Sequence, residues 1–112
     1  MTTFDITSRR GDPVTSREAG HKAARHAPTV RATVLEIMGE SSPLTHDELI
    51  STYHTRIMTD STTPLASESG IRTRLSELAH AGLVEADETM GVSTFGNRAR
   101  RWRITDLGRS VL

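Results

Sequence analysis

Apolar residues in this chain recur mainly at helical spacing, and they change to strand alternation only near the end. Ile71, Leu75, Leu78 and Ala79 fall three and four residues apart, which places them on one face of a helix over 67–82. Arg72, Thr73 and Ser76 then face the other way. Val30, Val34, Leu35 and Met38, with Ile37 beside them, predict a helix over about 28–38 ending near Gly39. Leu49, Ile50, Tyr53, Ile57 and Met58 predict another helix after Thr45. Further upstream, Ala19, Ala23, Ala24 and Ala27 give a thin small-residue face to a helix over 16–26. Leu83-Val84 opens a strand. In RARRWRIT, Arg100, Trp102 and Ile104 share one strand face, while Arg101 and Arg103 share the other.

Local punctuation supports these elements. Thr15-Ser16-Arg17-Glu18 and Thr45-His46-Asp47-Glu48 are capping boxes, and Leu44 with Leu49 adds a hydrophobic staple to the second. Ser67 caps the 67–82 helix. Gly82 follows that helix where a left-handed residue is needed. The stretch TDSTTPLA, 59–66, is a long polar connection, with Leu65 expected to fold back onto the core. ETMGVSTFGN, 88–97, reads as the loop between the two strands, with Gly91, Gly96 and Asn97 turning it and Phe95 expected to pack under it. Residues 1–13 are polar and contain Gly11, Asp12 and Pro13, which predicts a flexible arm. Leu107, Val111 and Leu112 supply the apolar side of a last short helical turn.

The order TSREAG, VLEIM, LTHDELI, IRTRLSELAHAGLVE, RWRITDLG resembles the small winged helix-turn-helix DNA-binding proteins of bacteria and phages. The resemblance covers 14–112. It implies an α+β, mainly α fold: a three-helix core plus a β-hairpin wing, with an extra N-terminal helix and a short C-terminal one. It implies that 67–82 is the recognition helix and 88–103 the wing. The eight-residue connection departs from the usual three or four between the paired helices.

Composition shifts the emphasis from the whole chain to one segment. With 112 residues and 35% hydrophobic content the chain makes one domain with a modest core, and Trp102 is its expected aromatic anchor. Fourteen basic and fourteen acidic residues cancel, so bulk charge does not argue for nucleic acid. Between Thr89 and Ile104, however, stand Arg98, Arg100, Arg101 and Arg103 and no acid. The absence of cysteine excludes disulfides and thiolate metal sites. No apolar run suggests a signal peptide or a membrane span, so a soluble cytoplasmic protein is expected.

Catalytic patterns are missing. His21, His26, His46, His54 and His80 show no metal-ligand spacing, no serine lies in GxSxG, and no glycine loop could cradle a phosphate. Neither an enzyme nor a cofactor or small-molecule ligand is expected. The partner implied is duplex DNA, with Arg72 paired to a base in the major groove. Ser67, Ser69, Thr73 and Ser76 would contact base edges or phosphates. Arg74 would meet a phosphate or pair with Glu77 or Glu85. Arg98, Arg100, Arg101 and Arg103 would contact phosphates or the minor groove. A transcriptional regulator acting as a homodimer on a two-fold site fits, because one such domain reads few base pairs. The alternatives are a solvated Arg72, wing arginines paired with Glu85 and Asp87, a Phe95 that wedges at the DNA surface, and a winged helix that docks protein instead of DNA.

Overall fold

A computed structural model of the chain describes residues 29–112. The expected arm at 1–13, the capping box at 15–18, the alanine-faced helix at 16–26 and Pro28 lie outside the described residues. From residue 29 on, the order is α1 (Val30–Ser41), α2 (His46–Thr59), α3 (Glu68–His80), β1 (Val84–Val92), β2 (Arg98–Ile104) and α4 (Asp106–Ser110).

Each of these helices begins at a hydroxyl side chain in extended backbone. Thr29, Thr45, Ser67 and Thr105 accept from the N–H groups of Ala32, Glu48, Gly70 and Gly108. Each thereby satisfies a donor that the first helical turn leaves unpaired. At Thr45 the box is complete, because Glu48 Oε1 accepts from the Thr45 N–H at 2.9 Å. The exit of α3 is equally determined. Leu83 N–H donates to Leu78 C=O at 2.9 Å and Gly82 N–H to Ala79 C=O at 3.0 Å. Gly82 sits at φ +79°, so this is a Schellman exit that glycine reaches at little cost.

The core is where the helical faces meet the base of the hairpin. Val34, Leu35, Ile37 and Met38 of α1 pack with Leu49, Ile50 and Tyr53 of α2 and with Ile71, Leu75 and Leu78 of α3. Val84 and Ile104 close it from the strands. Tyr53 is the central aromatic, not Trp102, which is only half-buried at the rim. Ile104 takes the inward position of β2. The backbone of Trp102 is paired with Leu44 (N–H···O 2.9 and 2.8 Å), which adds a single strand-like bridge to the hairpin edge. Its indole stacks on His46, centroids 6.2 Å apart.

Other expectations are corrected by contacts between distant segments. Helix α1 continues through Gly39 to Ser41. Gly39 serves close approach instead of termination, since a Cβ there would lie 2.6 Å from Leu112 Cδ1. Met58 is 83% exposed and Leu65 81%, so neither joins the core. Ile57 takes the last inward place on α2. The chain then leaves in a turn where Asp60 Oδ1 accepts from the N–H and hydroxyl of Thr62. Tyr53 donates its hydroxyl to the Pro64 carbonyl at 2.7 Å, fixing the connection one residue before Leu65.

In the hairpin, β1 runs to Val92, so the loop is 93–97 and not 88–97. Gly96, at φ +84°, turns it, with Ser93 N–H donating to Asn97 C=O at 2.7 Å. Gly91 lies inside the strand, where a Cβ would come within 2.6 Å of Thr45 Cγ2. The register shifts between Ala86 and Met90: Ala86 faces Trp102, and Met90 faces Arg100. That even offset preserves side-chain alternation, so Arg100, Trp102 and Ile104 keep one face.

Candidate functional site

The exposed side of α3 follows directly from its buried stripe. With Ile71, Leu75 and Leu78 turned inward, Ser69, Arg72, Thr73 and Ser76 are left on the surface. Their donors are partly committed. Ser67 Oγ accepts from Gly70 N–H at 3.0 Å as the cap. Thr73 donates its hydroxyl to Ser69 C=O at 2.9 Å on its own helix. Arg74 is half-buried and pairs with Glu77 (Nη2 to Oε2, 2.9 Å), one of the two acids expected for it, so it is committed within the helix. Arg72 stays well exposed, with Asp47 Oδ1 at 3.6 Å from Nη2 and Glu68 Oε1 at 3.9 Å from Nη1. Both separations exceed those of a good hydrogen bond. Its guanidinium donors therefore remain available.

Two clefts flank Arg72. One, of about 290 Å³, runs between α3 and the hairpin base and is lined by His46, Ser76, His80 and Trp102 as well as Arg72. The other, of about 590 Å³, lies between α2 and the hairpin turn and includes Asp47, His54, Met58, Thr94 and Phe95. Phe95 is 88% exposed at the turn and does not pack under it.

Sequence reasoning missed Asp47 and Thr94. Asp47 Oδ2 accepts from Thr94 N–H at 2.7 Å and from Thr94 Oγ1 at 2.9 Å, joining the turn to the start of α2. These bonds from Thr94 hold the Asp47 carboxyl below the usual carboxylate range, with help from Arg72 and His46. The capping box disclosed Asp47 only as an acid in the first turn, and no local signal announces a partner 47 positions away. Sequence order likewise shows His46 only as part of a helix start. Burial pushes its imidazole below the usual value, and the Arg72 charge pushes the same way, opposed by Asp47.

The hairpin arginines separate into two groups. Arg103 donates to Glu85 Oε2 at 2.8 Å and to Asp87 Oδ1 at 3.1 Å, so its charge is met within the hairpin. That is the cross-strand pairing weighed as the alternative to phosphate. Glu85 and Asp87 raise the Arg103 guanidinium further above its already high value. The Asp87 carboxyl is lowered chiefly by Thr89, whose N–H and hydroxyl both bond to it, and then by Arg103. Arg98, Arg100 and Arg101 form no ion pair with any described residue. Arg101 packs its stem over Gly91, and its Nε is buried with no hydrogen-bond partner among the described residues. Arg98 and Arg100 are exposed opposite Val92 and Met90. Among the described residues no group of three or more His, Asp or Glu side chains could hold a metal. No described helix is long and apolar enough to cross a membrane.

Three packed helices, with α2 and α3 joined by an ordered eight-residue connection and a two-stranded hairpin following α3, define a winged helix-turn-helix fold. A solved structure of this kind, a PadR-like transcriptional regulator from Bacillus cereus, superposes on it with a TM-score of 0.54 and 22% identity, over 73% of this chain and 72% of that one. The likeness is one of fold. No family model matches the chain, and no curated protein matches it.

Proposed function

We propose that this chain binds duplex DNA in a sequence-specific manner and regulates transcription, with α3 in the major groove and the wing on the adjacent backbone. The observation that carries the reading is the exposed guanidinium of Arg72 among Ser69, Thr73 and Ser76, on the helix that such folds offer to DNA. Arginine pairs bidentately with guanine O6 and N7. Arg98, Arg100 and Arg101 supply positive charge unmet by described acids, which suits phosphate. A homodimer on a two-fold site fits, because one module reads few base pairs. Leu107, Val111 and Leu112 remain more than half exposed beside α1 for such a contact. The similarity of the fold to a PadR-like transcriptional regulator supports the same reading.

Selection of bound fragments from random genomic DNA tests it. A shared motif is expected from the wild-type chain, and Arg72→Ala should lower the ratio of specific to nonspecific affinity roughly 5- to 150-fold, the worth of one bidentate base contact. A second reading, a winged helix that docks protein, is favoured by the exposed Phe95 and Met58 along one cleft. That reading predicts no motif in the selection.

A further inference from the structure

Asp47 stands where the three parts of the interface meet. It is the second residue of α2, and the completed capping box at Thr45 and Glu48 fixes the backbone that presents it. Oδ2 takes both donors of Thr94 at the hairpin turn, while Oδ1 faces Arg72 of α3. Among the described residues, these two bonds from Thr94 are the hydrogen bonds that tie residues 93–97 to the helical body.

The distances decide what this arrangement does to Arg72. Asp47 and Glu68 attract the guanidinium from 3.6 and 3.9 Å without capturing its N–H groups in tight bonds. Arg72 is therefore aimed, yet its five donors remain unspent. The two carboxylates also outnumber the single cation, so the spot carries a net negative charge. A phosphate approaching it is repelled. The neutral acceptor edge of a guanine is not. An acid placed this way lowers affinity for arbitrary DNA more than affinity for the correct base, which is specificity by penalising the wrong partner.

Resting on the DNA-binding reading above, we propose that Asp47 is the positioning residue of the interface: one oxygen fixes the wing, and the other orients Arg72 toward base edges and keeps phosphate away from it. Two variants separate these effects. Asp47→Asn keeps an oxygen that can accept from Thr94 but removes the charge. Asp47→Ala removes both.

The experiment combines nuclear magnetic resonance of the free protein with binding to the selected fragment and to a scrambled one. In the free protein, the Thr94 amide should remain protected from exchange in Asp47→Asn and lose protection in Asp47→Ala. In binding, Asp47→Asn should raise affinity for the scrambled duplex and lower the specific-to-nonspecific ratio, each by roughly tenfold. A residue that merely stabilises the fold would lower both affinities together. That result, or an unchanged ratio in Asp47→Asn, would overturn the assignment while the wild-type motif stands. If the wild-type chain recovers no motif, the DNA reading itself fails and the assignment falls with it.

Discussion

His46 and Trp102 show how one contact can turn a residue into a reporter. The imidazole lies nearly parallel to the only indole of the chain, with interplanar angle 12°. It faces Arg72 from α3, with Asp47 beside it on its own helix and His80 lining the same cleft. Burial and Arg72 disfavour the protonated form, so the folded pKa lies below the unfolded value of about 6.5. Between those two values the unfolded chain binds more protons than the folded one. Stability from this group is thus present above pH about 6.5 and is lost as pH falls toward the lowered folded value. Trp102 fluorescence should titrate with a midpoint below about 6.5, and thermal melts should decline over the same window. His46→Gln should abolish the fluorescence step; a step unchanged in that variant would assign it to another group.

At the scale of elements, ordered connections depend on single polar atoms. The eight-residue link between α2 and α3 is held by the Asp60 turn at one end and by the Tyr53 hydroxyl at the other. Burial pushes the Tyr53 phenol up to about 12. Removing the hydroxyl leaves the Pro64 carbonyl without its partner. Tyr53→Phe should therefore cost about 1–2 kcal/mol in urea denaturation and increase amide exchange in residues 60–67. Two glycines make a contrasting pair. A Cβ at Gly108 would lie 2.2 Å from the Leu83 carbonyl oxygen, which is backbone and cannot yield without moving α4. Gly108→Ala should cost about 1–3 kcal/mol. At Gly39 the clash is with the far end of the Leu112 side chain, and alanine gains up to about 1 kcal/mol of helix propensity. Gly39→Ala should be nearly neutral in the same measurement.

For the whole molecule, zero net charge hides an uneven distribution. Arg56 is spent between Glu36 (2.9 Å) and Glu40 (2.6 Å), clamping α2 to α1. Arg103 is spent within the hairpin, and Arg74 within α3. Apart from Arg109 on α4, which donates to the Gly39 carbonyl, the arginines left without acids among the described residues are Arg98, Arg100 and Arg101 of the wing. Arg98→Ala with Arg100→Ala should weaken binding to every duplex and reduce the magnitude of the salt slope by about 2, close to 0.9 per phosphate contact. Arg103→Ala should leave the slope nearly unchanged and lower thermal stability instead. Gel-shift titrations at two salt concentrations with parallel melts measure both; a loss of about 0.9 in the slope of Arg103→Ala would show that the ion pair of Arg103 opens on DNA.

What the sequence determined by itself was whatever depends on neighbours a few positions away. The inward stripe of α3, the Thr45 box, the Gly82 exit and the alternation of β2 are all set by backbone periodicity and local hydrogen bonds, so they could be read from order alone. The tertiary structure decided whatever depends on which distant segments meet. It set Tyr53 over Trp102 as the core aromatic, turned Gly39 and Gly91 into points of close approach and left Met58 and Leu65 outside. It also sorted the wing arginines into paired and unpaired, and brought Asp47 to Thr94 and Arg72. Those outcomes rest on charges and volumes brought together across the fold, and linear order does not encode which carboxylate reaches which guanidinium first.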